Sequence, residues 1–184
     1  MPNHLRSINL LSDKYPTKEH YPFNLPIFSE TKHLVFNNPV TMFVGNNGTG
    51  KSTLLEAIAV AGGIYIWRTG RNSRYEVNHY EASLHRYLQL NWSNGKVPGS
   101  FFGAQIFKDF ASILDEWAST DPRQLELFGG KSLITQSHGQ SLMSFFKSRY
   151  KLKGIYMLDE PETALSPSSQ LELLKLLNEN GKAG

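Results

Sequence analysis

An α/β domain with a mostly parallel sheet flanked by helices is the fold the sequence predicts, with a smaller antiparallel and helical region in mid-chain. Three observations predict it. Val40–Val44 and Ile155–Leu158 are short apolar stretches that read as strands covered on both faces. Each runs into a polar cluster at its carboxyl end, where ligands of such sheets gather. Runs of helix formers alternate with the strands.

Val40-Thr41-Met42-Phe43-Val44 is the first clear element. The turn "GNNGTGKS" follows, then "TLLEAIAVA", a helix that stops at Gly62-Gly63. From about Ile64 to Leu90, aromatic and basic residues with weak periodicity predict strands and loops. In "QIFKDFASILDEWA", Ile106, Phe107, Phe110, Ile113, Leu114 and Trp117 share one face, opposite Lys108, Asp109, Ser112, Asp115 and Glu116, which predicts an amphipathic helix with that apolar face buried. Asp121-Pro122 and Gly129-Gly130 punctuate a loop, and a second apolar helix lies around Leu142 to Phe146. Pro161 cannot continue a ladder, so Asp159 and Glu160 sit at the end of the Ile155–Leu158 strand. The last helix has Ser166 as N-cap, Pro167 in its first turn and Gly181 as its stop signal. The elements read as one domain over 1–184, with about 64–145 as an antiparallel and helical insertion.

Composition narrows the function classes. With 184 residues, 40% of them hydrophobic, the chain can fill one core. No apolar run approaches the ~18 residues that span a bilayer, and "MPNHLRSINLLSDKYP" lacks the features of a secretory signal. There is no cysteine, which excludes disulfides and thiolate metal sites and fits the cytoplasm. A net charge of +3 is too small to argue for nucleic acid on its own, and it leaves a polyanionic partner open. "RYEVNHYEASLHRYLQLNW" interleaves aromatics with Arg74, His79, His85 and Arg86; a half-buried antiparallel sheet with a basic rim accounts for it better than stacking on bases. The histidines show no metal-ligand spacing.

Gly45 to Ser52 satisfies G-x-x-x-x-G-K-[ST] between a strand and a helix, the context of a phosphate-binding loop. Backbone amides around such a loop face a phosphate, and the helix N-terminus adds partial positive charge. The nucleotide-binding set is Asn46, Asn47, Gly48, Thr49, Gly50, Lys51, Ser52 and Thr53. Lys51 reaches the β- and γ-phosphates, and Ser52 is a Mg²⁺ ligand. Asp159 completes the metal shell, and Glu160 polarises the attacking water.

"SHGQS", at Ser137 to Ser141, places a serine beside a histidine and a glycine, yet it lacks the Gly-x-Ser-x-Gly elbow of serine hydrolases. Ser137 and Gln140 fit a capping box for the Leu142–Phe146 helix. Taken with the Lys51 loop, "YMLDEPE" and "ALSP", in that chain order, the sequence resembles ABC-type P-loop ATPases over most of its length. The resemblance implies that Ser137, Gly139 and Gln140 form a degenerate signature motif completing the site of a second copy. It makes Gln105 the Q-loop glutamine, Ala164-Leu165-Ser166 the D-loop, and Tyr15 or Tyr21 an adenine-stacking aromatic. ATP and Mg²⁺ are the implied ligands, hydrolysis the implied activity, and a nucleotide-dependent homodimer the implied assembly.

Asn47 gives the loop the form G-x-N-G-x-G-K-S, which is similar to the SMC/RecF-like soluble group; "LDEPETALSP" resembles stand-alone and defence-associated ATPases. The resemblance therefore implies a role in DNA repair or defence, with DNA or a partner protein as further ligands. An ATP-binding transporter subunit and a non-hydrolysing dimerisation module are the alternatives. The family continues past the D-loop helix into a strand ending in a switch histidine. Such a strand is missing before Gly184, so the domain is expected to be incomplete at its C-terminus.

Overall fold

The N-terminal segment, and not Val40–Val44, supplies the first strand. The computed structural model describes residues 3–67, 78–128, 130–135, 138–150 and 152–183. In it Leu5–Leu10 forms β1, which pairs antiparallel with β2, His33–Val35, on one side and with β3, Leu88–Trp92, on the other. The register between β1 and β3 shifts at Leu5/Ser7, and Leu5, Ser7, Ile8 and Leu10 are all buried. That irregularity interrupts the alternation of faces from which a strand is read in sequence.

β4, Gly99–Gly103, and β5, Ile155–Asp159, form a separate parallel pair, in register from Gly99 against Ile155 to Gly103 against Asp159. The expected mostly parallel sheet is therefore corrected. Among the described residues there is one parallel pair beside a three-stranded antiparallel sheet. β5 is also less covered than expected, with only Met157 fully buried.

Five α-helices accompany these strands among the described residues, besides short 3-10 turns: α1 Pro26–Glu30, α2 Lys51–Gly62, α3 Ala104–Thr120, α4 His138–Arg149 and α5 Pro167–Ala183. One core gathers β1, α1, α2, Phe101 and Met157; a second gathers α3, α4, Phe128, Leu133 and Leu173 of α5. Burying such apolar faces is the main favourable term for elements this short. Gly63, in the left-handed region at φ 77°, ends α2 as its sequence predicts. Ser166 caps α5, its Oγ accepting from the Ser169 amide at 3.3 Å.

Three further expectations are corrected. Val40–Val44 pairs with no strand among the described residues, and Met42 and Val44 are 78% and 90% exposed. Apolar, β-branched residues suit a strand, but cross-strand partners make one. Phe43 alone turns inward, its ring edge-on to Phe36 at 6.5 Å. Gly181 lies within α5 and does not stop it; a side chain there would meet Val40 at 3.3 Å. Trp117 sits at the rim of the α3 face, 44% exposed, with its ring against Trp67 at 5.4 Å.

Candidate functional site

The phosphate-binding motif folds as an exposed turn leading into α2. Gly50 is its pivot, at φ 96°, where a side chain would strike Phe28 at 2.8 Å and Leu25 at 3.0 Å. Only glycine tolerates that backbone and that approach together. Thr49 Oγ1 donates to the Asn46 carbonyl at 2.9 Å, closing the turn. Lys51 Nζ folds back over it, donating to the carbonyls of Gly45 at 2.8 Å and Asn46 at 3.0 Å. An ammonium has three donors, so these two bonds position the lysine and leave a third for an anion. No side chain caps the start of α2, so its first-turn amides point into the same space.

The acids arrive from the other end of the chain. Ser52 Oγ donates to Asp159 Oδ1 at 2.9 Å, tying α2 to the carboxyl end of β5. Burial holds the Asp159 carboxyl above the ordinary carboxylate range; the Ser52 hydrogen bond pulls it down, the charges of Glu160 and Glu56 push it up, and Lys51 pulls it down again. Such a carboxylate favours a cation beside it. Glu160 is exposed and is the sole non-glycine residue with positive φ among the described residues, at φ 46° and ψ 50°. Thr163 fixes that turn, its amide and Oγ1 both donating to the Glu160 carbonyl, at 3.2 and 2.8 Å.

The donor set fits Mg²⁺ in its usual protein role. One hydroxyl and one carboxylate with an open side suit an ion that takes its remaining ligands from phosphate and water. Among the described residues no group of three acidic or histidine side chains forms a closed metal cage.

The remaining candidates are distributed less simply. Gln105 lies in the first turn of α3, two residues beyond the Gly103 that pairs with Asp159, and its side chain lies outside the described residues. Ser137 also lies outside them. Gly139 and Gln140 line a cleft of about 400 Å³ between the starts of α4 and α5, together with Lys147 and Ser169; Lys51, Ser52, Asp159 and Glu160 are not among its lining residues. Lys147 pairs with Glu172 at 2.6 Å across that cleft. Tyr15 is half-buried against the N-terminal core, its ring 4.6 Å from Phe23 and its hydroxyl donating to the Phe28 carbonyl at 3.1 Å. Burial pushes its pKa up to about 12. Tyr21 remains at the surface, hydrogen-bonded to Thr53.

Sequence reasoning missed Glu56, Thr163 and the Tyr21–Thr53 pair. Glu56 had a readable signal, since it lies one helical turn after Ser52 on the same face. Thr163 and the contact between Tyr21 and Thr53 had none, because they depend on where a turn and a distant segment come to rest.

Residues 23–100 match the family model of the AAA domain. The match spans α1, β2, the phosphate loop, α2 and β3, and it supports a nucleotide-binding, ATPase-type chain of the P-loop α/β kind, for which Mg²⁺ is the usual companion ion. Asp159 and Glu160 lie beyond the AAA-domain match. No curated protein and no solved structure matches the chain. No helix among the described residues is long and apolar enough to cross a membrane.

Proposed function

We propose that the chain is an ABC-type, SMC/RecF-like ATPase that binds Mg-ATP and hydrolyses it within a nucleotide-sandwiched homodimer. The 2.9 Å bond from Ser52 to Asp159 carries the reading. It joins the helix that opens the phosphate loop to the strand end bearing the acids, which is the juxtaposition that triphosphate chemistry needs. When bound, Mg²⁺ neutralises charge on the β- and γ-phosphates. Ser52 and Asp159 would hold it, and Lys51 and the amides of Asn46 to Thr53 would hold the phosphate oxygens.

Glu160 supplies the base. Its carboxylate accepts a proton from water as the water oxygen bonds to the γ-phosphorus; the bond from that phosphorus to the bridging oxygen breaks, and its electron pair leaves with ADP. The other half of the site is Ser137, Gly139 and Gln140 of a second copy. The position of Gly139 and Gln140 in the first turn of α4, in a cleft whose lining does not include Lys51, supports this role, because groups that serve a partner's phosphate lie away from their own. A part in DNA repair or defence, with DNA or a protein as further partner, rests on Asn47 and "LDEPETALSP" alone.

Light scattering of Glu160→Gln with and without Mg-ATP tests the reading. The expected result is a monomer that becomes a long-lived dimer only with nucleotide, and no phosphate release. A monomer at saturating ATP removes the shared site, and failure to bind ATP at all removes the whole reading.

A further inference from the structure

Thr53 follows Ser52 in the first turn of α2, and a helix turns about 100° per residue. With Ser52 committed to Asp159, Thr53 faces elsewhere, and its Oγ1 is hydrogen-bonded to the Tyr21 hydroxyl, 32 residues away in sequence. Tyr21 is anchored at both ends of its reach. Its carbonyl accepts from Asn78 Nδ2 at 2.7 Å, and the next residues, Pro22 and Phe23, are fully buried. A stretch rooted in the core thus delivers one phenol to the uncapped start of α2.

We infer that Tyr21 is a positioning residue for the nucleotide: its phenol donates to Thr53 Oγ1 and so orients the Thr53 hydroxyl as a donor to the phosphate nearest the nucleoside. The inference rests on the Mg-ATP reading above. A hydroxyl accepts and donates at once, so the Thr53 proton is released toward an anion only when the phenol is the donor of the pair. Lys51 serves the β- and γ-phosphates, and Ser52 the Mg²⁺ beside them. The next hydroxyl around the helix, on the Tyr21 side, meets the α-phosphate. Tyr21 acts here through its hydroxyl and not as a stacking surface.

The test is a double-mutant cycle on Mg-ATP binding, read with a fluorescent ATP analogue, alongside kcat and KM. Loss of one such hydrogen-bond link is expected to raise Kd and KM about fivefold in Tyr21→Phe with kcat nearly unchanged. In the Thr53→Val background Tyr21→Phe should weaken binding no further, and Thr53→Ser should bind within about twofold of the original protein. Equal or tighter binding by Tyr21→Phe overturns the inference, as does an undiminished loss in the Thr53→Val background. Should Tyr21→Phe melt too low to titrate, the Thr53 pair decides: Thr53→Ser binding as weakly as Thr53→Val also overturns it. An unsubstituted protein that binds no ATP analogue is a different failure, that of the nucleotide reading beneath it.

Discussion

Ser52 Oγ and Asp159 Oδ1 lie 2.9 Å apart although 107 residues separate them in sequence. The bond is a joint between α2 and the end of β5, and the burial of its acceptor sets a pH dependence. Asp159 has its pKa raised by burial. Its folding contribution is therefore fully present below the unfolded carboxylate pKa, near 4, and is lost as pH rises through the higher folded value. Asp159→Asn keeps an acceptor for Ser52 and removes the charge. It is expected to melt about 1–2 °C above the parent at pH 7, as befits one partly solvated charge. Differential scanning calorimetry should show that gain shrinking toward pH 4, while Mg²⁺-dependent stabilisation by ATP disappears.

Glu160 occupies the left-handed region with a side chain attached. That conformation costs roughly 1–2 kcal/mol for an L-residue, and replacement by glycine recovers it less the ~0.4–1 kcal/mol of freedom glycine adds to the unfolded chain. Glu160→Gly should thus add about 0.5–1 kcal/mol of stability, read as a higher urea midpoint at unchanged m, whereas Glu160→Gln leaves it unchanged. Both should abolish phosphate release. A glycine variant less stable than its parent would show that the turn is not strained.

Gly50 and Gly48 separate strain from collision. Both have positive φ, but a methyl at Gly48 meets nothing within 4 Å, while at Gly50 it meets Phe28 and Leu25. Gly48→Ala should cost about 1 kcal/mol from the backbone alone. Gly50→Ala should cost about 2–3 kcal/mol because a packed wall must also move. Nucleotide affinity should fall in the same order when both variants are titrated side by side.

Tyr15 marks the alkaline limit of the N-terminal core. Its pKa, raised to about 12 by burial, means that its stabilising contribution is complete below the ordinary tyrosine value near 10 and fades as pH climbs to 12. Tyr15→Phe loses the bond to the Phe28 carbonyl, about 1 kcal/mol at neutral pH. The stability gap between the two proteins should narrow between pH 10 and 12 in denaturant titrations.

Local signals carried the legible part of this molecule. The Gly63 stop, α3, α4 and the Ser166 cap each depend on neighbours within a turn or two, and each stands where its residues predict; the turn at Gly45 to Gly50 is followed by its expected helix but not preceded by its expected strand. Chain order alone suggested that Asp159 would meet Ser52, because a helix start after a glycine-rich turn and the carboxyl end of a strand come together in one kind of layered fold. Strand identity was less readable. Leu5–Leu10 hides behind a register shift, whereas Val40–Val44 has the composition of a strand and lacks a ladder partner. Pairing is a property of two segments, and one segment's residues state only half of it.

The exposed run through Met42 and Val44 has a consequence for the loop it leads into. Backbone amides outside any ladder take up deuterium quickly, while those of α2, immediately after the loop, are locked in helical bonds. Deuterium labelling should therefore change abruptly across a few residues, fast before Gly45 and slow beyond Leu54. The anion cradle is thus hinged between a rigid wall and a loose lead-in, and a tightly held ligand should announce itself first as slowed labelling of that lead-in.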